Sequence, residues 1–195
     1  MVDFNDASPQ CSFELIPAGT VVELNLKVRP GNAGDDGWLR RSKDGNSEAL
    51  DLECTVVFGP YARRKLWCLL TVSGTTEGHA QAAEVSRTRL RAILESARGI
   101  RPDDMSDAAK QARQVGSYAE FDGLRFIGRI GVEPARDNYR AKNTLLAAVT
   151  PDQQDWRRVE QVAKHSGVAA PAKTSAKPAT PDQGATKIAK PAWAS

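Results

Sequence analysis

The strongest constraint on this chain is a pair of alternating runs separated by a stretch that neither run can absorb. From Leu50 to Phe58 the apolar residues Leu50, Leu52, Cys54, Val56 and Phe58 alternate with Asp51, Glu53 and Thr55. That is the period of a strand with one face in a core and the other in water. Leu66, Cys68, Leu70 and Val72 repeat it. Gly59-Pro60 lies between them. Proline has no N–H to offer a ladder and glycine favours turns, so the runs form a hairpin with a loop of about five to seven residues. Arg63, Arg64 and Lys65 follow in that loop. A cationic turn therefore stands at one end of a sheet.

Other elements fall into place around this hairpin. From Thr20 to Val28, Val22, Leu24, Leu26 and Val28 point one way and Glu23, Asn25 and Lys27 the other, which predicts a first strand. Pro30 to Gly37 reads as a flexible loop by composition. Trp38, Arg40, Arg41 and Lys43 lead from it through an Asp44-Gly45 turn into the central strand. After Ser73–Gly78, apolar residues at three- and four-residue intervals predict a helix over Ala80–Ala97, stopped by Gly99. A short helix over Ser106–Gln114 follows. Leu124, Phe126, Ile130 and Val132 mark a further strand, with a bend or bulge at Gly128. Glu133–Asn138 turns the chain into a last strand over Tyr139–Val149, and Thr150-Pro151-Asp152 caps a final helix reaching Lys164. Trp156 is expected to anchor that helix.

The fold class this order predicts is mainly β with inserted helices: a five-stranded OB-like barrel, a helix between strands 3 and 4, and a disordered C-terminal tail. A small α+β sandwich would present the same elements. At 195 residues the chain has room for one core. It divides into an N-terminal arm (1–16), an OB-like domain (17–165) and an Ala/Pro/Lys-rich tail (166–195), too poor in apolar surface to order itself. The formal charge of +3 comes from the tail, where Lys173, Lys177, Lys187 and Lys190 face Asp182 alone. Attraction to a polyanion must then arise from local clusters. No apolar run approaches the ~20 residues of a membrane span, and the N-terminus lacks the character of a signal peptide. The expected location is the cytoplasm. Cys11, Cys54 and Cys68 lack metal-site spacing, and the latter two read as small apolar filler.

Phe13–Thr20, the Ser42-Lys43-Asp44-Gly45 turn before Leu50-Asp51-Leu52, the Gly59–Trp67 hairpin and Ser86–Leu94 together resemble a family of phage-encoded proteins of unknown function. That family is similar in element order to phage single-stranded DNA-binding proteins. Its genes lie with replication and recombination genes, which implies such a role. The resemblance spans residues 3–157 and leaves out the tail. Where the family pattern has glycine in the hairpin, this chain has Arg63.

A sequence-tolerant binder of single strands needs cations for the phosphates and flat side chains for the bases. Arg40, Arg41 and Lys43 from one turn and Arg63, Arg64 and Lys65 from the other are the candidate phosphate contacts. Trp38, Tyr61 and Trp67 are the candidate stacking surfaces, with Arg125, Arg129, Arg140 and Lys142 as a second rank. The two turns are expected to converge on one groove. Against this, Asp51 and Glu53 would repel a phosphate backbone on their own face of the sheet. The histidines, His79 and His165, belong to no nucleophile or metal pattern, and Asp35-Asp36 and Asp103-Asp104 fit solvation and capping. The reading is therefore non-catalytic, without cofactor or metal. Its expected partner is single-stranded DNA, with a phage recombinase or replication protein as a further partner, and it admits a homo-oligomer. The alternative is an adaptor that binds such a recombinase or replisome component and leaves DNA to others.

Overall fold

A computed structural model describes residues 5–6, 14–137 and 139–165. The expectations for the tail, for Cys11 and for most of the N-terminal arm lie outside the described residues. The described chain is mainly antiparallel sheet with a few helices. Its strands are β1 (Val21–Arg29), β2 (Asn32–Ala33), β3 (Leu39–Arg41), β4 (Ser47–Val56), β5 (Lys65–Gly74), β6 (Arg125–Glu133) and β7 (Lys142–Ala148). The helices are α1 (Glu77–Arg98), α2 (Asp107–Ala112) and α3 (Gln154–His165), with a 3-10 turn at Tyr118–Phe121.

The alternation seen in the sequence sets the registers. Leu24, Leu26 and Val28 of β1 face inward with Leu50, Leu52, Cys54 and Val56 of β4, and all seven are essentially sealed from solvent. β1 pairs with β4 on one side and β6 on the other; β5 pairs with β4, and β7 with β6. All these pairings are antiparallel. β5 and β7 come close without forming a ladder. The five-stranded barrel is thus corrected: the sheet has seven strands and is open. Of the two additional strands, β2 arises in the loop that composition marked as flexible and β3 directly after it. There Gly31 and Asn32 donate to the Gly37 carbonyl, and buried Leu39 ties the pair to the core. A Cβ on Gly31 would lie 2.5 Å from the Arg40 Cα, so only glycine allows that approach.

α1 starts at Thr76, whose Oγ1 accepts from the His79 N–H, and ends at Gly99, which takes the left-handed conformation at φ 66°. Its Leu90, Ile93 and Leu94 complete the core. Inward-facing Gly128 has Leu24 and Leu145 tips where a Cβ would go, and the β6–β7 register shifts one residue on, between Arg129 and Ile130. Buried Glu95 accepts from Arg91 at 2.9 Å and Arg113 at 2.7 Å, fastening the segment after α1 back onto the helix. Arg113 also donates to the Asp104 and Arg101 carbonyls. α3 lies over β1 and β6, where the Trp156 indole donates to the Ser96 carbonyl at 3.2 Å.

Candidate nucleic-acid interface

The candidate residues divide by which end of the sheet they occupy. β4 runs ten residues from the Trp38–Asn46 connection, at its start, to the Val57–Arg64 turn, at its end. Register sets Arg40 opposite Ala49 and Lys65 opposite Thr55, six residues or about 20 Å apart along the strand, and their side chains reach back to Asp51 and Glu53, neighbours on one face. Only the tips, Lys43 and Arg63, point to opposite ends of β4. β4 and β6 are both antiparallel to β1, so they run in the same direction. The turn after β4 and the β6–β7 hairpin therefore point the same way but are staggered: Val56 and Phe126 both lie opposite Leu24, so β6 runs roughly 23 Å beyond that level before its hairpin. With only β1 between them, β4 and β6 are about 10 Å apart.

On the outer face of the sheet the cations are paired. Lys65 lies 2.6 Å from Glu53, Arg40 3.4 Å from Asp51, and Arg41 2.8 Å from Glu48. Arg29 also reaches Asp51, at 3.8 Å. Cross-strand register explains this: Glu53 is opposite Lys27 on β1 and Trp67 on β5, and Asp51 opposite Arg29 and Leu69. The two carboxylates form a central acidic row between basic neighbours. The hydrogen bond from Lys65 holds the Glu53 carboxyl below its usual range, against some desolvation. Trp67 is 49 % exposed, and its Nε1 donates to Glu53 at 3.3 Å. Leu69, next on that face, is also exposed.

The other candidates lie elsewhere. Trp38 and Tyr61 are half-buried and pack against the core. Lys43 is exposed at the far end, in a turn held by Ser42, Asp44 and Asn46. Arg64 donates to the Glu14 carbonyl and so holds the segment before β1. Arg125 and Arg129 do share a face of β6, but α3 packs on β6: Arg129 lies 3.0 Å from Asp155. Arg125 is close enough to Glu23 to counter the upward push that burial gives that carboxyl. Lys142 reaches Glu133 at 3.1 Å across the base of the β6–β7 hairpin.

Exposed cations outside these pairs lie on the β4–β5 turn and on the β6–β7 hairpin, which point the same way. Arg63, Arg136 and Arg140 are exposed and, among the described residues, have no carboxylate within salt-bridge distance. Arg63 sits at φ 68°, the left-handed region that favours glycine. The backbone of Arg136 and Tyr139 exchanges hydrogen bonds of 3.1 and 2.8 Å across a tight turn with Asp137 at φ 47°. This turn lifts Tyr139 to 81 % exposure between Arg136 and Arg140. Sequence reasoning missed Arg136 and Tyr139. Their signal was an aromatic and two arginines bracketing the turn residues Asp137-Asn138, which the strand assignment absorbed.

Among the described residues no three His, Cys, Asp or Glu side chains are grouped to hold a metal ion, and no helix is long and apolar enough to cross a membrane. No family model matches the chain, and no curated protein does. Among solved structures it is similar to one described as yeast RPA bound to ssDNA, at 10% identity and a TM-score of 0.29, over 82% of this chain and 93% of that one.

Proposed function

We propose that this protein binds single-stranded DNA, without catalysis and with little sequence preference. The observation that carries the reading is Tyr139, exposed between Arg136 and Arg140 on the β6–β7 hairpin, which points the same way as the turn that carries Arg63. A stacking surface beside unpaired cations is what a sequence-tolerant single-strand site requires. Connectivity supports it. The long strands β1, β4 and β5 form a meander, β6 returns beside β1, β7 pairs with β6 and approaches β5, and α1 joins β5 to β6. This is the path of an OB-fold left open at its last seam, with β2 and β3 as an insertion. The setting in phage replication or recombination rests on the sequence resemblance alone.

A salt titration tests the reading. Anisotropy of a labelled single-stranded oligonucleotide should show binding at low salt that weakens linearly on a log–log plot, with a slope of about −0.7 per phosphate neutralised. An RNA oligonucleotide and a DNA duplex run beside it separate the polymers. No binding at low salt overturns the proposal. One observation favours the adaptor reading: an apolar groove of about 320 Å³ between α1 and β7, flanked by exposed Val85 and Leu146. An adaptor keeps its partner when Arg63, Arg136 and Arg140 are replaced together, and shows no DNA affinity to lose.

A further inference from the structure

The two cysteines that sequence alone reads as filler stand in different surroundings. Register sets Cys54 opposite Leu66 and Cys68 opposite Leu52, so the thiols are diagonal neighbours on the inner face of the β4–β5 hairpin. Cys54 is fully buried, whereas Cys68 is only half-buried. The contrast follows from topology. β4 has ladder partners on both edges, while β5 has one only on β4's side and borders the seam towards β7. Arg89 of α1 reaches into that seam, donating to the Leu146 carbonyl of β7 at 3.4 Å. A hydrogen bond from the Cys54 thiol, with the Arg89 charge nearby, holds the Cys68 thiol below its ordinary range despite burial. The same bond, with burial, pushes Cys54 up. The half-buried sulfur therefore lies beside a cation and an open seam, while the other is sealed in the core.

We propose that Cys68 is a peroxide-sensitive nucleophile and Cys54 its resolving thiol, so that the β4–β5 hairpin carries a reversible internal disulfide. The oxidant is a hydroperoxide. The Cys68 thiolate attacks one peroxide oxygen; the S–O bond forms, the O–O bond breaks, and the hydroxide that leaves takes up a proton. Cys54 sulfur then attacks Cys68 sulfur. The S–S bond forms, the S–O bond breaks, and the departing hydroxide leaves as water with the Cys54 proton. The thiol pair loses two electrons and the peroxide gains them. Diagonal Cα atoms stand ~7–8 Å apart, against the ~6.8 Å upper reach of a disulfide, so closure asks for a shift of about 1 Å. The β4–β5 ladder sets that separation, so closure loosens the pairing around Leu52–Cys68 and Cys54–Leu66.

The test uses the full chain with Cys11→Ser, so that only the two thiols in question remain. After hydrogen peroxide treatment, quenching and alkylation under denaturing conditions, intact mass should show a loss of about 2 Da and no alkylation, both reversed by dithiothreitol. Trypsin should release the segment ending at Arg63 linked to the one ending at Arg87. In Cys54→Ser, dimedone should trap a sulfenic acid on Cys68. Untreated native protein should alkylate at Cys68 at least about tenfold faster than at Cys54. Both thiols alkylating fully after peroxide, or equal native rates, overturns the proposal. The mass and peptide readouts need no core substitution, so a misfolded variant cannot obscure them.

Discussion

The outer face of β4–β5 and the tips of the two hairpins that point the same way carry similar numbers of cations but hold them differently. On the face, Lys65, Arg40 and Arg41 each lie against a β4 carboxylate. At the tips, Arg63, Arg136 and Arg140 reach into solvent. An exposed ion pair holds its members by only ~0.2–1 kcal/mol, so a phosphate can displace a carboxylate, but it must overcome that amount and the repulsion of the acid left behind. Unpaired arginines carry neither cost. The number of cations is therefore a poor guide to where a polyanion settles, and the supply of carboxylates in register with them is a better one.

Removing equal charge from the two regions gives the largest predicted effect. Arg63→Ala/Arg136→Ala/Arg140→Ala should lower single-strand affinity on the order of 30- to 100-fold near 0.1 M salt and flatten the salt slope by about 2. Arg40→Ala/Arg41→Ala/Lys43→Ala, at the far end, should cost about fivefold, since two of its cations are already neutralised. Both variants lose the same formal charge, so anisotropy titrations read placement and pairing rather than net charge. Equal losses, or a larger one at the far end, break the comparison.

Stacking sharpens it further. Tyr139→Ala should weaken binding by roughly 5- to 30-fold, and Tyr139→Phe should restore most of that, because a ring rather than a hydroxyl meets the base. Trp67→Ala should cost less, since Trp67 is flanked by acidic Glu53 and already spends its N–H there. A hydroxyl-dependent loss at Tyr139 would instead mark it as a hydrogen-bonding residue of the turn.

Much of this was legible beforehand, for identifiable reasons. The two-residue period of Leu50–Val56 and the Gly99 end of α1 are local signals, and local signals survive in one dimension, whereas the helix starts at Thr76, three to four residues before its first apolar repeat. The strands β2 and β3 left none, because two or three residues carry no period and form only where Gly31 permits close approach to Arg40. Which turns point the same way was equally hidden. It depends on β6 pairing with β1, a contact about one hundred residues distant in the chain. The acidic row at Asp51 and Glu53 was visible in the alternation. That its charges are taken up by Lys65 and Arg40 required the register.

The smallest predicted effect has the opposite sign. Glu53 holds both Lys65 and the Trp67 indole, so Glu53→Gln removes a negative charge from the face while keeping its shape and an acceptor for the indole. Affinity should rise about two- to fivefold, the equivalent of one exposed ion pair released. The lowered pKa of this carboxyl sets the pH range of the test. A carboxyl whose folded pKa is depressed contributes stability that is fully present above its unfolded value of 4.5 and is lost as pH falls through the folded one. From pH 6 to 8 the pair is intact, and the gain on substitution should be constant across that window. Below that window the difference should close as pH falls through the lowered folded pKa, at a more acidic pH than for an unperturbed glutamate. A gain that vanished between pH 6 and 5 would show that a different group controls Lys65. An unchanged affinity at every pH would place the bound strand wholly on the hairpin tips, with the face of β4–β5 untouched.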